Sequence, residues 1–365
     1  MNTTSLQASP PGSSPLPTHP AAARGPAHPV GSRIDPAPSQ PRARPGPALR
    51  PRVGSLLPAA TEIVCALGLR DALVGVSHEC DWPPSVRGLP VLTRTRLGAH
   101  GVTPAQGTSG AIDRDLRELL RSALAVYDLD LEALARAAPE VILTQNLCDV
   151  CAVPFAAVEG AARELLPGAK LVCLSPLRLA DLWRDIAAVA EALGAPERAV
   201  ALTQDLQGRL AALAARTGRL PRRPRVLTLE WLEPVMVGGT WMPELVKIAG
   251  GTALAAEVGQ RARTLSREEL FKLRPAPDVV VIKPCGFTLE RTLAEFDFLR
   301  GLLAPLPWPA VRDGEVFVAD GNAFFNRPGP RLVESAEILA AVLHGGHFPD
   351  LSDRHAQSYV RLARR

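Results

Sequence analysis

Along residues 52–176, short apolar runs bounded by turn residues alternate with segments whose apolar positions recur at three- and four-residue spacing. The runs predict buried strands at 52–57, 72–77, 90–93, 140–144 and 170–174; the spaced segments predict helices at 61–67, 112–124 and 129–138. A long helical stretch follows at 179–193. Gly194-Ala195-Pro196 punctuates it, and 197–216 then runs without proline and with Gly208 as its only glycine. A helix of that length reaches roughly 30 Å. After Pro221 and Pro224 the alternation restarts, with strands at 225–229, 278–282 and 316–318 and helices at 243–249, 267–272 and 330–343. Strand–helix alternation of this kind predicts parallel α/β layers. The whole pattern reads as two α/β lobes joined by one long backbone helix, with a ligand cleft between the lobes.

Composition divides the chain further. Residues 1–50 hold twelve of the 36 prolines, five arginines and one acid, with no lysine or glutamate. They show no apolar periodicity, so a disordered Pro/Arg-rich tail is expected. The predicted domains are this tail (1–50), an N-terminal lobe (52–176), linking helices (177–220), a C-terminal lobe (224–346) and a polar tail (347–365). The net charge of +4 belongs to the N-terminal tail, and the rest of the chain is neutral. A neutral body argues against a nucleic-acid partner. No apolar run approaches the roughly 18 residues that would span a membrane. Nothing before Val53 reads as a secretory signal, so the chain as written is expected to be cytoplasmic, with a periplasmic location as the alternative if its start lies elsewhere. No phosphate-binding loop, zinc-protease, nucleophile-elbow or paired-carboxylate signature is present, and no catalytic residue is expected.

In open α/β sheets ligands lie beyond the carboxyl ends of the strands. That rule selects Pro58, Ala59 and Thr61 after the first strand, His78, Glu79, Asp81 and Trp82 after the second, Glu230 and Trp231 in the second lobe, Trp241 ahead of a helix, and Phe287 after the 278–282 strand. Flat aromatic walls suit a large macrocycle, and ordinary packing is the alternative for each tryptophan. His78 is either a metal ligand or a loop hydrogen bonder. Thr61-Glu62 reads either as a source of backbone N–H groups or as capping. Arg327, in a turn-rich segment, reads as loop closure or as a ligand contact. Cys65 and Cys173 occupy apolar helix and strand positions and read as inert buried thiols. Cys80, Cys148, Cys151 and Cys285 fall in cleft loops, and the spacing from Cys148 to Cys151 suits a metal or redox pair. Three readings stand for these four: a zinc or iron–sulfur site, a redox or disulfide pair, and plain packing.

Five stretches carry a resemblance, in order and in spacing. They are RVGSLLPAATE (52–62), VGVSHECDWPP (74–84), PEVILTQ (139–145), EWLEP (230–234) and DGNAFFNRPGP (320–330). Together they resemble the cobalamin-binding branch of the Fe/B12 periplasmic-binding superfamily, the helical-backbone substrate-binding proteins of ABC importers, over residues 52–346. The resemblance implies two Rossmann-like lobes bridged by a rigid helix. It also implies a monomer that binds cobalamin or a related corrinoid without catalysis, partnered by an ABC permease if exported. The alternative function is a cytosolic metalloprotein that holds zinc or an iron–sulfur cluster on the cleft cysteines.

Overall fold

Val53–Ser55 (β1) is wholly buried, and it lies between two parallel neighbours, Leu73–Val76 (β2) and Val141–Gln145 (β5). A computed structural model describes residues 50–97, 107–121, 126–146 and 153–362 of the chain. These fall in one compact unit, Leu49–Arg365. Thr93–Thr95 (β3) and Tyr127–Leu129 (β4) make an antiparallel ribbon beside the first sheet, and Lys170–Leu174 (β6) completes that sheet in the order β2–β1–β5–β6. All of its pairings are parallel. Continuous burial of β1 and β5 is what a sheet covered on both faces requires.

The second sheet is mixed. Its strands are Arg225–Trp231 (β7), Val235–Val237 (β8), Thr252–Ala253 (β9), Arg263–Leu265 (β10), Val279–Ile282 (β11), Val316–Ala319 (β12) and Tyr359–Arg361 (β13). They run in the order β10–β8–β7–β11–β12–β13, and β9 also pairs with β7. The central strands β7, β11 and β12 are parallel, with β11 and β12 wholly apolar, while β8, β10 and β13 are antiparallel additions toward the edges.

Between the sheets runs the 23-residue helix Pro196–Gly218, about 35 Å long at the standard rise. Proline at its first position suits a helix start, since the missing N–H would have had no partner there. Arg198 Nη1 donates to Leu67 O (2.9 Å) and Gly68 O (3.0 Å) in the first lobe. At the other end Thr217 Oγ1 donates to Ile248 O (2.7 Å) in the second. Midway, Arg209 pairs with Glu337 (3.0 Å) of the buried helix Leu332–His344. The helix is therefore fastened to both lobes along its length. No helix among the described residues is long and apolar enough to cross a membrane.

Several elements differ from the sequence reading. The predicted 90–93 strand lies at Thr93–Thr95, with Val91 making a single bridge to Val76. The predicted 129–138 helix is β4 followed by Leu131–Ala137, because the Asp130 side chain accepts from Ala133 N (2.9 Å) and starts the helix there. The helix Phe155–Leu165, the β8–β10 pairing and the short helices Leu289–Leu293, Phe296–Leu303 and Pro309–Asp313 lie where the sequence had suggested no element. The polar tail from 347 is corrected most. It contains the helix Pro349–Arg354, the strand β13 and the buried side chains Phe348 and Leu351. Elements of three and six residues carry too few positions for a period to show.

This C-terminal segment is tied down by charge as well as by packing. Glu337 pairs with His355 (3.0 Å), Arg354 (3.2 Å) and Arg209, and these partners hold its carboxyl down at about 2. The Arg216 guanidinium lies 4.6 Å from the Phe348 ring centroid. A chain cut after Gly346 should therefore lose several kcal/mol of stability, the order expected for deleting one buried phenylalanine and one buried leucine. Urea unfolding of the cut and full-length chains checks this; equal midpoints would show the segment to be dispensable.

Candidate functional site

The loops that follow β2, β7, β11 and β12 build the site. Beyond β1, the Ser55 hydroxyl donates to Leu57 O (3.1 Å) and accepts from Thr61 Oγ1 (2.8 Å), which pins the start of the helix Pro58–Ala66. Cys80 Sγ lies 3.1 Å from the same Thr61 oxygen. Ala59 and Thr61 are buried and hold the loop from behind, while Pro58 is partly exposed.

After β2, Thr93 Oγ1 donates to Ser77 Oγ (3.0 Å) and accepts from His78 N (3.1 Å). With its proton so committed, it accepts also from His78 Nδ1 at 2.7 Å. That assigns the Nδ1–H to the imidazole and leaves Nε2 facing Glu79 Oε1 at 3.5 Å. Tyr127 OH donates to the same carboxylate oxygen (3.3 Å), and its ring lies 5.1 Å from the imidazole. The neighbouring His78 imidazole holds the Glu79 carboxyl below the ordinary range. His78 is therefore a loop bonder through Nδ1, and its Nε2 is buried without a hydrogen-bond partner.

The two lobes meet at Arg327, in the loop after β12. Its guanidinium is 8% exposed and donates to Asp81 Oδ1 (2.5 Å) and Oδ2 (3.2 Å), to Glu62 Oε1 (3.3 Å), to Glu79 O (3.4 Å) and to Asn322 Oδ1 (2.9 Å). Asn322 Nδ2 in turn donates to Asp81 Oδ2 (2.8 Å). Burial pushes the Glu62 carboxyl up to about 7, against the pull of Arg327 and of Arg331 at 3.8 Å. Arg331 is sandwiched, with its guanidinium 4.5 Å from the Trp82 ring centroid and 4.4 Å from that of Phe324. Trp82 keeps 43% of its surface exposed. Of the two sequence readings of Arg327, the structure shows loop closure, across the lobe boundary.

On the C-terminal side, Lys283 ends β11 and is completely buried. Its Nζ donates to Glu230 Oε2 (3.1 Å) and Asn326 Oδ1 (2.7 Å), and Gly239 N donates to the same Glu230 oxygen (3.3 Å). One ammonium thus ties the end of β7 to the loop after β12, and the loop after β8 joins through Glu230. Gly238 lets the backbone pass close to it, since a Cβ there would fall 2.5 Å from Thr228 Oγ1 and 3.3 Å from Lys283 Cε. Neither Lys283 nor Asn326 was singled out in the sequence, although a lysine directly after an all-apolar strand was a visible signal. Trp231 stacks at 5.2 Å on Phe287, which is buried. Trp241 is buried in the main core, with Nε1 donating to Phe325 O (2.8 Å).

The cysteines do not assemble as a group among the described residues. Cys80 is partly buried, and desolvation pushes its thiol up to about 12. Cys285 is exposed. Cys148 and Cys151 lie outside the described residues. Among the described residues no three His, Cys, Asp or Glu side chains are arranged to hold a metal ion. Cys65, with its thiol at about 11, is a packing residue, as the sequence suggested. Cys173 is exposed, because alternate positions of β6 face outward.

The candidate site therefore lies where the carboxyl ends of the parallel strands of both sheets meet at the Arg327 seam. Residues 53–323 match the family model described as periplasmic binding protein. The chain belongs to the periplasmic binding protein family. A vitamin B12-binding protein of Photorhabdus laumondii is 25% identical over 294 residues, 80% of this chain and 88% of that one. The apo structure of the periplasmic heme-binding protein RhuT from Roseiflexus superposes with a TM-score of 0.59 at 23% identity, covering 81% of this chain and 99% of the other. The periplasmic vitamin B12 binding protein BtuF of Vibrio cholerae gives 0.56 at 20% identity, over 80% and 96%. These two share the fold, and the two-lobed reading of the sequence agrees with them.

Two outcomes test the seam. Arg327→Met removes the countercharge of Glu62 and Asp81 and should cost about 3–5 kcal/mol in urea unfolding. Glu62 titrates near 4.5 when unfolded and near 7 when folded, so the folded state holds the extra proton between those values. Its contribution is complete below about pH 4.5, declines as pH rises through about 7 and is then lost. The wild-type stability minus that of Glu62→Gln should fall by about 3 kcal/mol across that window. A flat difference would place the Glu62 proton elsewhere.

Proposed function

We propose that this chain is a non-catalytic substrate-binding protein that holds a metal-containing tetrapyrrole, cobalamin or a heme-like macrocycle, between its lobes and serves an ABC permease. The observation that carries the reading is the meeting of the post-β2 and post-β12 loops at Arg327, which sets the carboxyl ends of both sheets against one cleft. Ligands of open α/β sheets bind at such ends. The half-exposed Trp82 offers a flat apolar face there, held in place by Arg331. Glu230 offers an acceptor fixed by Lys283, suited to the amide N–H groups that fringe a corrin. The names of the relatives, a B12 binder and a heme binder among them, support this ligand class. Those names also favour the periplasmic location over the cytoplasmic one expected from the N-terminal residues. With both lobes fastened to the long helix, affinity comes from a preformed cleft.

The test is retention of ligand by the full-length chain, titrated separately with hydroxocobalamin and hemin and followed by absorbance and filtration. One of the two should be retained with a Kd of about 1 μM or tighter. Trp82→Ala should weaken that binding about tenfold through loss of the stacking face. Retention of neither at about 100 μM would overturn the reading.

A further inference from the structure

The polypeptide between β3 and β4 belongs by sequence to the first lobe, yet its described part is seated on the second. The helix Ser109–Arg121 starts against Glu295, which stands just ahead of the helix Phe296–Leu303. Ser109 N donates to Glu295 Oε1 at 2.7 Å, and Ser109 Oγ donates to Oε2 at 2.6 Å. Both residues are buried. Arg291 adds a third tie, pairing with Glu295 (3.2 Å) and donating to Gly107 O. Gly110 packs so closely that a Cβ there would fall 2.1 Å from Glu233 Oε2. Thr108 caps the helix from its own side, its Oγ1 accepting from Ala111 N (3.2 Å).

What these four residues sit on is the C-terminal wall of the cleft. Trp231 Nε1 donates to Glu233 O (3.2 Å), the Trp231 ring stacks on Phe287, and the Arg291 guanidinium lies 4.3 Å from the Phe287 ring centroid. Every anchor of residues 107–110 is either part of that wall or bonded to it. The Glu295 carboxylate also faces the positive end of a thirteen-residue helix and receives two hydrogen bonds there. Arg291 Nε is buried without a partner, so the wall itself is not fully satisfied.

We infer that residues 107–121 form a strap of the first lobe, latched by Glu295, which occupies the Trp231–Phe287 wall and must be unseated by any macrocycle that stacks there. The ligand and the strap then compete, and the apparent affinity is the intrinsic one reduced by the fraction of molecules with the strap unseated. The second half of this inference rests on the proposed function, whereas the latch does not.

The test separates the two. Hydrogen exchange of the full chain is compared with that of Ser109→Ala and Glu295→Gln, without ligand. Loss of a hydrogen bond to a buried carboxylate should speed exchange at 109–121, and at the wall segment 285–291, by about tenfold while the sheets stay unchanged. Unaltered exchange in both variants would overturn the latch. Exchange that rises at 109–121 alone would show that the strap does not cover the wall. In titrations with hydroxocobalamin and hemin, both variants should bind several-fold more tightly than the parent. Faster exchange with unchanged or weaker binding would overturn the competition. Should no variant retain either macrocycle, the proposed function falls, and exchange alone decides the latch and its cover of the wall.

Discussion

A single guanidinium crossing between lobes is the interaction on which this site depends. Arg327 leaves the second lobe and ends between Glu62 and Asp81 of the first. An arginine so buried is costly unless its donors are met, and here two carboxylates, a carbonyl and an amide oxygen meet them. With Arg331 the cluster holds two arginines and two acids. Arginine suits the position because its planar fork can face several acceptors at once, which an ammonium cannot do. The bolt has a geometric consequence. It joins the loop after β12 to the loop after β2, so the ends of the two sheets cannot separate without leaving buried charge uncompensated.

The long helix makes the same constraint mechanical. It is fastened at Leu67 in the first lobe, at Glu337 midway and at Ile248 in the second. A hinge needs a segment that can change its backbone angles, and a 23-residue helix packed on both lobes offers none along its length. Helix and bolt together fix the width of the cleft. Selectivity must then come from the walls, where side chains can exchange partners, rather than from closure of the lobes.

How much of this was legible in the sequence follows from the range of the interactions. Both lobes, the parallel strands and the spine helix showed in the pattern, the strands as unbroken apolar runs and the helix through its spacing over many positions; the strand Lys170–Leu174 falls at its predicted bounds. The strand-end rule brought His78, Asp81 and Trp82 to a loop at the seam, whereas Glu230 and Trp231 are the last two residues of β7. It could not separate side chains that face the cleft from those that support it, so Ala59, Thr61, Trp241 and Phe287 were selected with the others, although the structure buries them. Arg327 lies 246 positions from Asp81, and Ser109 lies 186 from Glu295. No local pattern encodes a pairing at such distances. The segment after residue 346 was obscured differently, since its elements are short and its anchoring lies in Glu337, on another helix.

The burial of Lys283 bears on what the walls can recognise. A fully buried ammonium with a carboxylate and an amide oxygen for partners has no charge left to offer a ligand. Arg327 and Arg331 are likewise committed, one to acids and the other to two aromatic faces. The cations nearest the seam are therefore spent on structure, and an anionic group on a ligand finds no free countercharge among them. What the described loops present is an indole face, a fixed carboxylate at Glu230 and the His78–Glu79 pair. That set suits a broad, flat molecule fringed by hydrogen-bond donors better than a compact anion.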